Sequence, residues 1–247
     1  GLDELPTYGT TVWPADCLRV DEDTLDRCTF GDLGAPRRAV RLGDSYSAAW
    51  VPALRTALVP AGWSVVSLAY GQCPNITAMT VLNGEPYTGC VEHRDWAIDH
   101  IVETRPDLVV LTNAWTATLQ DESLDRATAY GQGLTDIVRR LQASGARIVL
   151  LSAPPGSANL QKCPTALNGP HDCLDGPVDT FATQVATERR VAAATGTESI
   201  DPQQWFCVND LCPSIVGDMP VYFDGRHITV EYAEHIGREV AAAFGLP

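Results

Sequence analysis

Short apolar runs alternate with longer amphipathic stretches from residue 37 to the C-terminus, and this alternation restricts the folds that the chain can adopt. It is typical of strand–helix units that build one mainly parallel sheet covered by helices. The strands are predicted near Ala39–Leu42, Val65–Leu68, Leu108–Thr112, Ile148–Ser152 and Glu198–Ile200. Helices are predicted, from apolar residues at helical spacing, near residues 47–59, 93–104, 134–141, 179–194 and 230–244. The predicted fold class is therefore α/β.

The first 36 residues have no sustained period and are rich in proline, glycine and aspartate. This composition predicts an irregular lead-in segment over residues 1–36, held by Cys17 and Cys28. Residues 37–247 are expected to form a single α/β domain, because a chain of 247 residues in this class commonly builds one core.

Eight cysteines fall along the chain as four pairs of neighbours, each of which would close a short loop. Because reduced cytosolic proteins rarely place so many cysteines in polar loops, we expect disulfides formed in an oxidising compartment. The simplest pairing, among the many that eight cysteines allow, is Cys17 with Cys28, Cys73 with Cys90, Cys163 with Cys173, and Cys207 with Cys212. The alternative is a zinc site drawn from Cys163, His171, Cys173, Cys207 and Cys212, although no tight Cys-x-x-Cys pair anchors it.

The formal charge of −14, with 17 basic against 31 acidic residues, argues against nucleic acid or an anionic membrane surface as a partner. No apolar run approaches the roughly 18 residues of a membrane span, and no signal peptide is evident. We interpret the sequence as a mature form or as part of a longer protein.

A serine stands where the first predicted strand meets the first predicted helix, in the string Gly43-Asp44-Ser45. At such a junction the Ser45 hydroxyl would project from the end of the sheet, and its N–H would lie at a helix N-terminus. Glycine at position 43 permits a sharp turn. The alternative interpretation is an ordinary helix start capped by Asp44 or Ser45.

Near the other end of the chain, Asp224 precedes His227 by three residues, just before the last predicted helix. A serine nucleophile needs a base of near-neutral pKa, and the imidazole needs an acceptor on its second nitrogen. The pair therefore predicts a triad with Ser45. Alternatively, the segment is a solvated turn whose aspartate caps the helix.

Two further residues follow predicted strands and suit an oxyanion pocket. Gly71 offers a backbone N–H without an obstructing side chain, and Asn113 offers a side-chain amide. Taken singly, they are equally well explained as a turn glycine and a turn or cap asparagine. Trp115, two residues after Asn113, is a candidate pocket residue on spacing alone. The long loops 153–177 and 201–223 are expected to lie over the same crevice.

The order Ser, Gly, Asn, His, with Asp three residues before His, resembles the SGNH (GDSL-like) esterase and acyltransferase superfamily from Arg38 onwards. Further motifs narrow the resemblance to SGNH domains fused to membrane acyltransferase-3 domains. These motifs are Cys28-Thr29-Phe30-Gly31-Asp32, Trp50-Val51-Pro52-Ala53-Leu54, Cys73-Pro74, Cys90, Trp96, Pro106-Asp107-Leu108-Val109-Val110 and His227-Ile228-Thr229. The third block departs from the esterase pattern, since Leu111 and Ala114 replace its usual glycine and aspartate.

The resemblance implies a three-layer α/β/α fold with a mainly parallel, flavodoxin-like sheet. It implies Ser45 as nucleophile, His227 as general base and acid, Asp224 as its orienting partner, and Ser45 N–H, Gly71 and Asn113 as oxyanion donors. The implied function is an extracytoplasmic O-acyltransferase that moves a short acyl group, such as acetyl, from an acyl donor to an envelope sugar or glycolipid.

The implied partner is a membrane acyltransferase-3 domain on the same full-length chain, which would tether the protein to the plasma membrane; the chemistry needs no metal or cofactor. The alternatives are a freestanding secreted esterase and a non-catalytic binding module on the same fold.

Overall fold

A twisted six-stranded sheet forms the centre of the protein, for which a computed structural model describes residues 17–165, 167 and 169–246. Its strands are β1 (Thr29–Phe30), β2 (Arg37–Gly43), β3 (Trp63–Ala69), β4 (Leu108–Thr112), β5 (Arg147–Leu151) and β6 (Glu198–Ile200). Their spatial order is β1-β3-β2-β4-β5-β6, and only β1 runs antiparallel to its neighbour. Without β1 this is the flavodoxin-like order, so the predicted fold class is confirmed.

Eight α-helices lie in the described part of the chain. They are α1 (Ser45–Ala49), α2 (Val51–Leu58), α3 (Thr88–Thr104), α4 (Arg126–Leu141), α5 (Phe181–Thr195), α6 (Gln203–Phe206), α7 (Val230–His235) and α8 (Gly237–Ala243). The stretch predicted as one helix over 47–59 divides at Trp50, because Pro52 lies in the first turn of α2 and cannot donate a backbone hydrogen bond to a preceding turn.

Helices cover both faces of the sheet and give it two separate apolar cores. On one face α3 and α4 pack against alternate strand residues such as Val40 and Leu111. On the other face α2, α7 and α8 pack around the fully buried Trp50. Because parallel strands are buried on both faces, they read in the sequence as continuous apolar runs. The three layers are therefore α, β and α.

The described part of the lead-in, residues 17–36, joins this architecture. Strand β1 pairs with β3, and Val20 and Cys28 lie in the core on the α3 side. Two backbone hydrogen bonds, from Val20 N to Ala69 O and from Gly71 N to Leu18 O, attach the segment to the end of β3. The expected boundary at residue 36 therefore falls inside a continuous sheet.

All four disulfides join neighbouring cysteines: Cys17–Cys28, Cys73–Cys90, Cys163–Cys173 and Cys207–Cys212. Among the described residues no cysteine is free, and no group of three or more candidate ligands is placed to hold a metal ion. The cysteines of the alternative zinc site are thus bonded to one another in two disulfides. None of the described helices is long and apolar enough to cross a membrane.

Short pairs of strands order the loops at the carboxyl edge of the sheet. Leu174–Asp175 pairs with Cys212–Pro213 and so joins the two disulfide-containing loops. The remaining short strands are Thr80–Leu82, Glu85–Pro86 and Thr118–Leu119 in one small sheet and Ile215–Val216 with Met219–Pro220 in another. Single 3₁₀ turns lie at Asp26–Cys28, Val59–Ala61, Gln142–Ser144 and Pro170–Asp172.

Candidate active site

Ser45 is the first residue of α1, directly beyond the carboxyl end of β2. The turn requires glycine at position 43, where φ is +155° and a Cβ atom would overlap the carbonyl oxygen of Thr112. Asp44 caps the helix by accepting from Tyr46 N at 2.9 Å. The capping role expected as an alternative is thus real for Asp44, and it leaves the Ser45 N–H at the open N-terminus of the helix. Strands β2 and β4 flank the switch point where flavodoxin-like sheets bind ligands.

The turn between Phe223 and α7 brings a histidine and an aspartate to this serine. His227 Nε2 lies 2.9 Å from Ser45 Oγ, and His227 Nδ1 lies 2.6 Å from Asp224 Oδ2. The other carboxylate oxygen of Asp224 accepts from the backbone N–H of Arg226 and of His227, at 2.9 and 2.8 Å. The three predicted triad residues are therefore joined in one hydrogen-bonded row, and Thr229 rather than Asp224 caps α7.

The electrostatic surroundings keep the Asp224 carboxylate ionised. Burial alone would raise the pKa of Asp224, but hydrogen bonds from the His227 side chain and from two backbone N–H groups lower it below its ordinary value. An ionised Asp224 accepts the Nδ1 proton of His227, which leaves the lone pair on Nε2 directed at Ser45. The row can therefore withdraw a proton from the serine hydroxyl.

Two aromatic rings flank the imidazole. The Phe223 ring stacks on His227 with centroids 5.3 Å apart and planes 14° apart, and the Tyr46 ring lies 4.6 Å away at 32°. Phe223 N also donates to His227 O at 3.1 Å, which closes the turn. Because the side chain of His227 is only 16% exposed, these contacts limit its rotation.

The two disulfide-containing loops support the turn from behind. Ser157 N donates to Gly225 O at 3.0 Å, and the Ser157 hydroxyl donates to Cys212 O. Ser214 Oγ donates to Ala158 O at 2.6 Å and links the second loop to the first. The expectation that both loops lie at this edge of the sheet holds, and their role in the structure is to hold the turn between Asp224 and His227.

Asp44 connects the serine to the neighbouring strand. Its second carboxylate oxygen accepts from Ala114 N at 2.6 Å, across the end of β4. Asp44 is fully buried, and burial raises its pKa to about 6 despite the two backbone N–H donors. The guanidinium of Arg41 is also buried, and burial lowers its pKa to about 9. The negative charge of Asp44 interacts with this guanidinium and opposes the shift. The positions of Ser45 and of the residues after β4 are therefore coupled through one carboxylate.

The two predicted oxyanion residues differ in their hydrogen bonding. The Gly71 N–H donates to Leu18 O at 2.8 Å, so this donor is already used within the backbone. Asn113 is buried, and its Oδ1 accepts from both the backbone N–H and the side-chain amide of Asn75, at 2.8 and 3.0 Å. The side-chain NH₂ of Asn113 therefore faces away from Asn75.

A buried polar cluster lies beneath Asn113. Gln184 Nε2 donates to Asn113 O at 2.8 Å and to Glu188 Oε1 at 2.9 Å. Glu188 also accepts from the hydroxyls of Tyr130 and Ser152. Burial raises the pKa of Glu188 to about 7, although these donors oppose the shift. Asn75, Gln184 and Glu188 were not predicted from the sequence, because isolated polar residues in a loop or helix carry no spacing signal.

Trp115 belongs mainly to the core: it is 7% exposed and contacts Tyr130, with ring centroids 4.6 Å apart. It also borders a small, partly open pocket of about 20 Å³, together with Tyr46, Gln184 and Arg226. Neither this pocket nor two larger grooves, of about 700 and 550 Å³, is lined by a member of the hydrogen-bonded row. Cavity size alone would therefore not locate this site.

The parallel sheet, with serine, histidine and aspartate joined at its carboxyl edge, defines an α/β protein with a serine-hydrolase-like site. A family model described as "SGNH domain (fused to AT3 domains)" matches residues 15–242. The chain therefore belongs to this family. No curated protein sequence matches it significantly.

Solved structures share the fold at low sequence identity. The periplasmic domain of a lipopolysaccharide acetyltransferase from Salmonella ser. Paratyphi A is 18% identical, with a TM-score of 0.73 over 97% of this chain and 96% of that one. A putative acylhydrolase from Bacteroides fragilis NCTC 9343 is 15% identical, with a TM-score of 0.53 over 92% and 98%. The acetyl xylan esterase AlAXEase is 13% identical, with a TM-score of 0.51 over 83% and 98%. The four disulfides indicate an extracytoplasmic location.

Proposed function

We propose that the chain is an extracytoplasmic O-acyltransferase domain that uses Ser45 as nucleophile, His227 as base and Asp224 as its orienting partner. The observation that carries the proposal is the hydrogen-bonded row from Ser45 Oγ through His227 to Asp224, with distances of 2.9 and 2.6 Å. Both distances suit proton transfer between a nucleophile and its base.

The reaction follows from the direction of these hydrogen bonds. His227 Nε2 takes the Ser45 proton as Oγ attacks the acyl carbonyl of the donor, and a tetrahedral oxyanion forms. When the intermediate collapses, the leaving group departs with the proton held by Nε2, and an acyl-serine remains. An acceptor hydroxyl then attacks the acyl-serine, gives its proton to Nε2, and Ser45 Oγ takes that proton back as it leaves.

The developing oxyanion needs donors aimed at it from the start. We assign these to the Ser45 backbone N–H, at the N-terminus of α1, and to the side-chain NH₂ of Asn113. Gly71 is left out of this set because its N–H already donates to Leu18 O. The positive end of a short helix adds a modest attraction for negative charge at the same place.

The identity of the acyl group is proposed from the structural neighbour from Salmonella, which is described as an acetyltransferase domain. We therefore propose acetyl as the transferred group.

The acceptor and the cellular setting are proposed from the family. Because domains of this family are fused to AT3 domains, we propose that a membrane acyltransferase-3 domain on the same full-length chain tethers this domain and supplies its acyl donor. The structural neighbour from Salmonella is described as a lipopolysaccharide acetyltransferase domain, and it supports an envelope sugar or glycolipid as the acceptor.

Hydrolysis of p-nitrophenyl acetate by the protein and by its Ser45→Ala variant tests the proposal, with a sugar acceptor added in parallel. We expect turnover only in the parent protein, and O-acetylated sugar that forms only when Ser45 is present. If the protein releases only free acetate, and no O-acetylated sugar forms when the acceptor is present, the protein is an esterase instead. Equal rates in the two proteins would refute the role of Ser45.

A further inference from the structure

We propose that Asn75 is a positioning residue, which fixes the Asn113 side chain with its NH₂ group turned toward the substrate oxyanion. This inference rests on the proposed function, since it gives Asn113 a donor role in the same reaction. It adds a residue from the loop after β3 to those that act at this edge of the sheet.

The direction of the Asn113 amide follows from the donors that face it. The backbone N–H of Asn75 lies 2.8 Å from Asn113 Oδ1, and a backbone N–H can only donate. The side-chain Nδ2 of Asn75 lies 3.0 Å from the same oxygen. A flipped Asn113 amide would set its NH₂ against two donors in a buried place, and each unpaired buried donor costs about 1–3 kcal/mol. Asn75 therefore strongly favours one orientation.

Asn75 is itself well fixed. It is 2% exposed and follows Pro74 in the loop that the Cys73–Cys90 disulfide attaches to α3. The next residue, Ile76, is also fixed. Its carbonyl oxygen accepts from the guanidinium of Arg94, and its side chain lies in the core. A rigid donor pair is what an amide needs to hold one orientation through the reaction.

Two other neighbours hold the Asn113 backbone, and Tyr130 acts together with Asn75 on its amide. Gln184 donates to the Asn113 carbonyl, and Asp44 accepts from the next backbone N–H, that of Ala114. The Tyr130 hydroxyl also interacts with the Asn113 side chain. An amide NH₂ carries two hydrogens, so one remains for the oxyanion when Tyr130 takes the other.

The test is a double-mutant cycle on kcat for p-nitrophenyl acetate and on the rate at which a fluorophosphonate labels Ser45, followed by mass spectrometry. We expect Asn113→Ala to lower both rates roughly 10²- to 10³-fold, as for loss of one oxyanion donor. Asn75→Ala should lower kcat by about 10-fold at nearly constant KM, because the backbone donor remains. The double variant should be no slower than Asn113→Ala alone.

Asn75→Asp gives a sharper readout. An ionised carboxylate beside Asn113 Oδ1 would repel that oxygen and turn the NH₂ toward itself, so the loss should approach that of Asn113→Ala. The protonated carboxyl can donate, so the activity ratio of Asn75→Asp to the parent protein should rise as the pH falls. Asn83→Asp, in an exposed turn, makes the same chemical change away from the site and should leave the ratio at one.

Additive losses in the double variant, or a pH-independent ratio for Asn75→Asp, would overturn this inference. Thermal unfolding midpoints identify any variant whose loss reflects unfolding, and such a variant is replaced by Asn75→Ser, whose hydroxyl keeps a donor and should restore most of kcat. The Ser45→Ala variant distinguishes failure of the proposed function from failure of this inference. If it still reacts with both reagents, the proposed function fails; if only the Asn75 variants behave additively, the inference alone fails.

Discussion

The carboxylate of Asp224 accepts three hydrogen bonds from the turn that carries His227. One oxygen accepts from Nδ1 at 2.6 Å, and the other accepts from the backbone N–H groups of Arg226 and His227 at 2.9 and 2.8 Å. A three-residue spacing thus lets one side chain fix both the backbone and the imidazole of its partner. The Asp-x-x-His spacing is a structural requirement of this turn as well as a chemical one.

Asp224→Asn tests that double role. The asparagine oxygen can still accept from the two backbone N–H groups, but its NH₂ would face Nδ1 and impose the tautomer with the proton on Nε2. We expect kcat to fall roughly 10³- to 10⁴-fold with little change in the unfolding midpoint, by analogy with the serine-protease triad. The measurement is steady-state ester hydrolysis, with Asp218→Asn, on an exposed loop, as the matched control. A loss below 10-fold would contradict the role of Asp224.

The stacking of Phe223 on His227 predicts a smaller effect. Aromatic pairs contribute about 0.5–1.5 kcal/mol beyond their buried area, which corresponds to a rate change of about 2- to 12-fold if the imidazole is held only in part. Phe223→Leu should therefore lower kcat within that range and leave KM nearly unchanged. An unchanged kcat would show that Tyr46 and Asp224 suffice to orient the ring.

The sequence predicted the sheet well, because parallel strands buried on both faces stand out as apolar runs. All five predicted strands lie within two residues of the observed ones. Strand β1 was missed, since Thr29–Phe30 is only two residues long and sits in a Pro- and Gly-rich segment. Strand pairing at an edge depends on tertiary contacts, which local pattern does not record.

The hydrogen-bonded row was also predictable, because its three residues follow from the chemistry of a serine nucleophile. The proposed oxyanion donors were harder to predict. Gly71 and Leu18 are far apart in sequence, so nothing local shows that the Gly71 N–H is used by the lead-in segment. Asn75 likewise contacts Asn113 only because the folded chain brings the loop after β3 next to the end of β4, and no local sequence pattern indicates this contact.

The buried carboxyl of Glu188 predicts a pH-dependent stability. Burial raises its pKa from 4.5 to about 7, so between these values the folded protein binds more protons than the unfolded chain. The free energy of unfolding therefore decreases as the pH rises from 4.5 to 7, and the total decrease due to Glu188 is at most about 3 kcal/mol.

Glu188→Gln should remove this dependence while keeping acceptors for Gln184 and Tyr130 and a donor for Ser152. The stability of the variant relative to the parent protein should increase across that pH window and then stay constant. Urea unfolding at pH 4.5, 6 and 7.5 measures the difference. A difference that does not vary with pH would show that the pKa of Glu188 is the same in the folded and the unfolded protein.

The Cys163–Cys173 disulfide predicts a link between an outer loop and the site. Cys173 O accepts from Ser214 N at 3.1 Å, and the loop before it reaches the Asp224–His227 turn through the bond from Ser157 N to Gly225 O. Replacing both cysteines by serine opens the loop between them, whose ends are separated by 10 positions in the sequence. Closing such a loop stabilises a folded protein by about 2–3 kcal/mol.

The matched control is the Cys17–Cys28 disulfide, whose sequence separation is 11 and which lies in the lead-in segment, away from the turn. Because the two loops differ by only one residue in sequence separation, both double serine variants should lose a similar free energy of unfolding. Only Cys163→Ser/Cys173→Ser should also lower kcat, by several-fold, when both are assayed well below their unfolding midpoints. Equal kcat values in the two variants would show that the turn holds His227 without help from the loop, because stability alone would then account for every effect of the disulfide.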